Sequence, residues 1–264
     1  MQRVVTAELD LDLGSSVDLI FQITAAQGAP LSREQLTFTQ GDRVYTPTEI
    51  VDQSGSRLHR LLGESGRLEI RYEATVDGTA AMSRTSDLEA ITYLRPSRYC
   101  QSDEVFQQAR RQFRGLSGHD LIAAVSEFVA TSTTYTPGLS QGTDSAVTTL
   151  MTGQGVCRDY AHLSVALLRG LGIPARSVAV YAPGVSPMDF HAVAEAWIDG
   201  AWRAIDATTL APRSSLVRIA TGRDAADTAF LTVMSGRADL VEVEVTATVD
   251  ALPADDITQL VSIW

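Results

Sequence analysis

Hydrophobic and polar positions change their rhythm near residue 95 of this chain. Before that point the period is two. Glu8-Leu9-Asp10-Leu11-Asp12-Leu13 alternates strictly, as a strand with one buried face does. Val17 to Ala25, Leu36 to Gln40, Val44 to Val51 and Leu68 to Val76 are further strand candidates, with Gly and Asp turns between them. Short strands in this arrangement predict an antiparallel β-sandwich or partial barrel. Pro96, in Tyr93-Leu94-Arg95-Pro96-Ser97-Arg98-Tyr99-Cys100, discourages a continuing strand. The boundary therefore falls there, with an N-terminal β-domain over 1–95 and a second domain over 96–264.

Helical spacing takes over next. Ser102 or Asp103 can cap a helix running to about Arg114, and Leu121, Val125, Phe128 and Val129 mark a second. A short helix is expected near Ser145–Thr152. The helix that begins at Cys157 is apolar around most of its circumference and stops at Gly172-Ile173-Pro174, so it should be central and buried. Strands return at Arg176 to Tyr181, Asp189 to Ile198, Trp202 to Ala207 and Leu240 to Val249. Helices followed by strands make the second domain α+β, with helices packed on an antiparallel sheet.

The register of one hairpin then suggests chemistry. Asp199-Gly200 suits the positive φ angles of a two-residue turn. Counting outward, Trp197 faces Trp202, Glu195 faces Ala204 and Val193 faces Asp206. Side chains alternate, so His191 shares a face with Val193 and Glu195, and Asp206 projects on that face one pair along. Diagonal neighbours of this kind are about 7–8 Å apart at the backbone, within side-chain reach. The opposite face, Phe190, Ala192, Ala194, Ala196 and Ile198, is suited to close packing against the Cys157 helix. A helix start presents unpaired N–H groups and the positive dipole end, which favour an anion such as a thiolate. Cysteine, histidine and aspartate have complementary roles as nucleophile, proton carrier and orienter of the imidazole. Glu195, on the same face, is the rival orienter. His162 reads as a hydrogen-bonded core residue, and His59 and His119 as structural or solvated. A metal site built from Cys157, His162, His191 and Asp206 finds no support in a Cys-x-x-Cys or His-Glu-x-x-His pattern, so neither metal nor cofactor is expected.

Composition narrows the partners. The net charge of −11 argues against nucleic acid or an anionic membrane, and no apolar run reaches the roughly 18 residues of a membrane span. Every basic residue is arginine. Two cysteines, Cys100 and Cys157, do not make a disulfide framework, and the charged Met1–Glu8 stretch does not read as a signal peptide. Together these suggest a reduced, cytoplasmic setting. Nothing in the sequence sets the oligomeric state.

Gly155-Val156-Cys157-Arg158-Asp159-Tyr160-Ala161-His162-Leu163, followed by Gly172-Ile173-Pro174-Ala175-Arg176, resembles the core motif of the bacterial transglutaminase-like superfamily. Asp189-Phe190-His191-Ala192 and Trp202-Arg203-Ala204-Ile205-Asp206-Ala207-Thr208 resemble that family's histidine and aspartate motifs, in the same order. Tyr93 to Cys100, Gly222 to Asp227 and, less specifically, the β-rich N-terminal region are similar to segments of bacterial members. The resemblance implies a papain-like core with Cys157 as nucleophile, His191 as base and acid, and Asp206 as orienter. Ala207 stands where proline is common, and Val193 where an aromatic is common, departures that bear on substrate fit. The Cys157 N–H is the natural first oxyanion donor, with Tyr135 a candidate second. A cysteine-dependent acyl transfer on a peptide or protein amide follows, with hydrolysis favoured over γ-glutamyl cross-linking. A binding protein that keeps the fold without turnover is the other reading.

Overall fold

A computed structural model describes residues 1–80, 86–257 and 259–263. In chain order the strands are β1 (Gln2–Leu13), β2 (Val17–Phe21), β3 (Leu31–Gln40), β4 (Arg43–Tyr45), β5 (Thr48–Val51), β6 (Arg57–Gly63) and β7 (Gly66–Asp77). Helices α1 (Asp87–Thr92), α2 (Ser102–Gln112) and α3 (Gly118–Ser132) follow, then β8 (Thr134–Tyr135), α4 (Ala146–Thr152), β9 (Gln154–Gly155) and α5 (Cys157–Gly170). The rest comprises β10 (Ala175–Tyr181), β11 (Phe190–Ile198), β12 (Ala201–Ile205), β13 (Val217–Gly222), α6 (Ala225–Thr228), β14 (Leu231–Ser235) and β15 (Ala238–Val249).

The period-two start folds as its pattern dictates. Val5, Ala7, Leu9, Leu11 and Leu13 of β1 are buried, as are Leu68, Ile70, Tyr72, Ala74 and Val76 of β7, which pairs with it antiparallel. Two sheets, β15-β1-β7-β3-β4 and β14-β2-β6-β5, enclose this core as a sandwich. Sheet membership does not follow the division into 1–95 and 96–264. After the second domain the chain returns, and β14 pairs with β2 while β15 runs antiparallel to β1 along its whole length. An alternating strand shows which of its faces is buried but not which partner lies beside it, and for β15 that partner is more than 200 residues away.

The second unit is a four-stranded antiparallel sheet, β12-β11-β10-β13, with α5 packed on one face. Leu163, Ala166 and Leu167 of α5 meet Ala194, Ala196 and Ile205, the small-residue face expected of the hairpin. Helices α2, α3 and α4 surround α5 and bury Val105, Val125, Val129 and Ala146 in the same cluster. The other face of the sheet carries Val178, Val180, Val193 and Ala204 and is covered by Leu216 and Ile263. Tyr181, Val217 and Ile219 join the sandwich core, so the two units share packed surface. Among the described residues, no helix is long and apolar enough to cross a membrane.

Two motifs quoted from the sequence converge on the end of α5. Buried Arg169 donates to the carbonyls of Ala175, Arg95 and Arg223, pinning the Tyr93–Cys100 segment and the Gly222-Arg223 turn to one guanidinium. Asp224 accepts from the Tyr99 N–H at 2.9 Å.

Candidate active site

Cys157 is the first residue of α5, and the turn before it is shaped by Asp159. The Val156 N–H donates to Asp159 Oδ2 at 2.8 Å, and Ser140 Oγ donates to the same oxygen at 2.6 Å. The carboxylate of this fully buried residue thus caps a helix start that Val156 cannot cap itself. Gly155 is required here: a Cβ on it would lie 2.5 Å from Asp159 Cβ. Parallel pairing of β8 with β9 fixes the other side, where the Thr134 and Thr136 N–H groups donate to Gly153 and Gly155. This pairing sets Tyr135 beside the Gly155–Cys157 turn, close enough for Cys157 to act on the Tyr135 phenol.

The hairpin adopts the predicted register. Asp199 and Gly200 take φ of 51° and 73°, Trp197 pairs with Trp202, and Glu195 pairs with Ala204. His191 Nε2 lies 2.8 Å from Asp206 Oδ2, with both side chains buried. Nε2 being engaged, Nδ1 is the ring nitrogen that can serve Cys157, which lines the same cavity and acts electrostatically on the ring. Asp206 is held in turn by Thr208, whose N–H and Oγ1 donate to Oδ1 at 3.0 and 2.6 Å. The Asp-x-Thr spacing was the available signal for that support, and the sequence reading assigned Thr208 no role.

Electrostatics follow from these contacts. Burial opposes charge on His191, but the Asp206 carboxylate and its hydrogen bond, with the Cys157 sulfur, outweigh it and push the ring up to about 10. Burial and the charge of Cys157 push the Tyr135 phenol up to about 12, so it stays a donor through neutral pH. Cys100 is fully buried, and burial raises its thiol to about 12, which makes it inert.

The other candidates fall away from the reacting groups. Glu195 is fully buried, and both its oxygens are taken, by Arg176 at 2.7 Å and Arg218 at 2.6 Å. Burial alone would raise its acid constant, but the two guanidiniums hold it below the ordinary carboxylate range. It is therefore a structural ion pair, with Arg176 also stacked 4.0 Å over the Trp202 ring. His162 is buried, accepts from the Ala225 N–H at 3.0 Å and stacks on Tyr99; burial lowers it to about 4. His59 lies buried on β6 against Glu49, and His119 meets Asp199 at the surface.

A sequence model of the transglutaminase-like superfamily matches residues 107–207, which contain Tyr135, Cys157, His191 and Asp206. A crystal structure of a proposed cysteine protease from Cytophaga hutchinsonii is 32% identical over 100% of this chain and 93% of that one, with a TM-score of 0.85. An uncharacterised protein of Mycobacterium leprae is 30% identical over 126 residues, 44% of this chain and 45% of that protein. The chain thus matches under half the length of that curated relative. The periplasmic domain of TgpA from Pseudomonas aeruginosa aligns with 77% of this chain and 90% of its own at 19% identity, with a TM-score of 0.43. The matched core and the Cytophaga structure support a cysteine-dependent enzyme in the broad sense. The chain belongs to the transglutaminase-like superfamily.

Proposed function

We propose that the protein is a cysteine hydrolase of peptide or protein amides, acting through a thioester on Cys157. One observation carries this reading: the hydrogen-bonded chain His191–Asp206–Thr208 opens on the same cavity as Cys157 at the N-terminus of α5. His191 Nδ1 already holds the thiol proton, in keeping with its raised pKa, and the Cys157 thiolate attacks the carbonyl carbon. Oxyanion charge is met by the Cys157 N–H at the start of α5 and by the Tyr135 hydroxyl, which β8 sets beside that turn. His191 then protonates the amine nitrogen, the C–N bond breaks, and a thioester forms. Water gives up a proton to the same ring, adds to the thioester and releases acid and thiol.

A cavity of about 690 Å³ opens in front of Cys157 and gives substrate access to the thiol. The description of the Cytophaga neighbour supports hydrolysis over amine transfer. The free cysteines support a reducing, cytoplasmic setting. The test supplies a glutamine-bearing peptide with and without a primary amine and measures the products by mass spectrometry. Free acid as the main product with amine present is expected. Accumulation of the substituted amide would make the protein a cross-linking enzyme instead. Unchanged peptide with both this substrate and a broad peptide pool would favour a binding protein.

A further inference from the structure

The cavity in front of Cys157 is lined on one side by the catalytic sheet and on the other by the β-sandwich. Ala179, Phe190 and Ile219 come from β10, β11 and β13. Phe230 precedes β14, and Val243 stands on β15. Phe190 and Phe230 stack at 5.2 Å between ring centroids. Ala179, Phe190, Phe230 and Val243 pack against the sandwich core yet are only partly buried. The core is therefore left open beside the nucleophile, and an apolar surface open to water needs an occupant. Besides His191, the charged residues of the lining are Arg158 and Asp189. Arg158 is engaged by Ser140 and the Gln141 carbonyl, while Asp189 disfavours an acidic neighbour.

We propose that this bay is the side-chain pocket that selects an aromatic or branched aliphatic residue next to the bond cut at Cys157. The β-sandwich, through Phe230 and Val243, then sets specificity as well as stability. The inference rests on Cys157 being the acyl-transfer nucleophile. The volume, within the roughly 300–1,000 Å³ of ligand sites, holds a side chain together with flanking backbone.

The test uses the full chain and a panel of N-acetyl amino-acid chloromethyl ketones bearing phenylalanine, leucine, lysine or aspartate side chains. Cys157 Sγ displaces chloride from the methylene carbon: an S–C bond forms, the C–Cl bond breaks, and chloride leaves with the electron pair. Rates are divided by that of iodoacetamide, which has no side chain to recognise. The phenylalanine and leucine reagents are expected to outpace the aspartate one by about tenfold or more. Val243→Glu and Phe230→Ala should each shrink that ratio about fivefold or more, with the iodoacetamide rate unchanged and the variant still folded at the assay temperature. Val243 is on an edge strand, so its variant is expected to fold; should it not, Phe230→Ala decides. Rates independent of side chain, or a preference that survives both substitutions, would overturn the pocket. Failure of iodoacetamide to reach Cys157 would overturn the nucleophile, and the pocket with it.

Discussion

Asp206→Asn puts the catalytic contacts under a sharp test, because the structure dictates how the new amide must point. Thr208 donates two hydrogen bonds to Oδ1, so the amide oxygen stays on that side. The amide NH₂ then faces His191 Nε2 and donates to it. That bond requires the ring to carry its proton on Nδ1, the nitrogen facing Cys157, where it cannot accept the thiol proton. A wrong tautomer of this kind costs on the order of 10⁴ in kcat in the serine-protease triad, or about 5.4 kcal/mol of barrier. A loss of about 10³- to 10⁴-fold in kcat/KM is expected. The pH profile carries a second signature. With Asp206 present, imidazolium persists until pH passes about 10, which places the alkaline limb there. Without the carboxylate that limb moves to lower pH. The same raised value adds stability, complete below the ring's ordinary range near 6.5 and lost as pH rises through about 10. The assay is kcat/KM against pH on the preferred peptide amide, with thermal unfolding as the check on folding. A folded variant within tenfold of full activity, its alkaline limb unmoved, would refute the reasoning.

Three further outcomes are expected. Tyr135→Phe removes a hydroxyl from a partly exposed side chain, so kcat should fall roughly 10²-fold with little change in unfolding midpoint; an unchanged kcat would remove Tyr135 from the oxyanion site. Glu195→Ala removes the buried carboxylate shared by Arg176 and Arg218 and should cost on the order of 3 kcal/mol in denaturant unfolding, whereas Asp206→Ala should harm activity more than Glu195→Ala under conditions where both are folded. His162, held near 4 by burial, is neutral in the fold and takes up a proton on unfolding, so stability should fall as pH drops from about 6.5 towards 4. His162→Gln should flatten that slope, as read by unfolding at fixed denaturant; an unaltered slope would contradict the assignment.

Local rules made most of the site legible. Asp199-Gly200 allows few turn geometries, and the turn fixed the register that brings His191 and Asp206 together. The apolar circumference of α5 and its stop at Gly172-Ile173-Pro174 likewise gave a buried central helix. Other features depend on contacts that no window of sequence contains. Strands β6, β13 and β14 carry little to separate them from loops, and β15 finds β1 only through the finished sandwich. Glu195 and Asp206 look equivalent in a face-counting argument. Only the approach of Arg176 and Arg218 from neighbouring strands separates a structural ion pair from an orienter. The pocket wall was hidden for a similar reason: Phe230 falls outside every element assigned from the sequence and Val243 inside the Leu240–Val249 strand, and only the chain return brings both to Phe190.

Trapping the intermediate tests the proposed chemistry most directly. The protein is mixed with an apolar peptide amide, quenched in acid within the first turnover, digested and mapped by mass spectrometry. The acyl group is expected on the peptide containing Cys157, with none on Cys100, and Cys157→Ala should give neither adduct nor product. Product release by Cys157→Ala, or turnover without an acyl group on Cys157, would contradict a thioester mechanism.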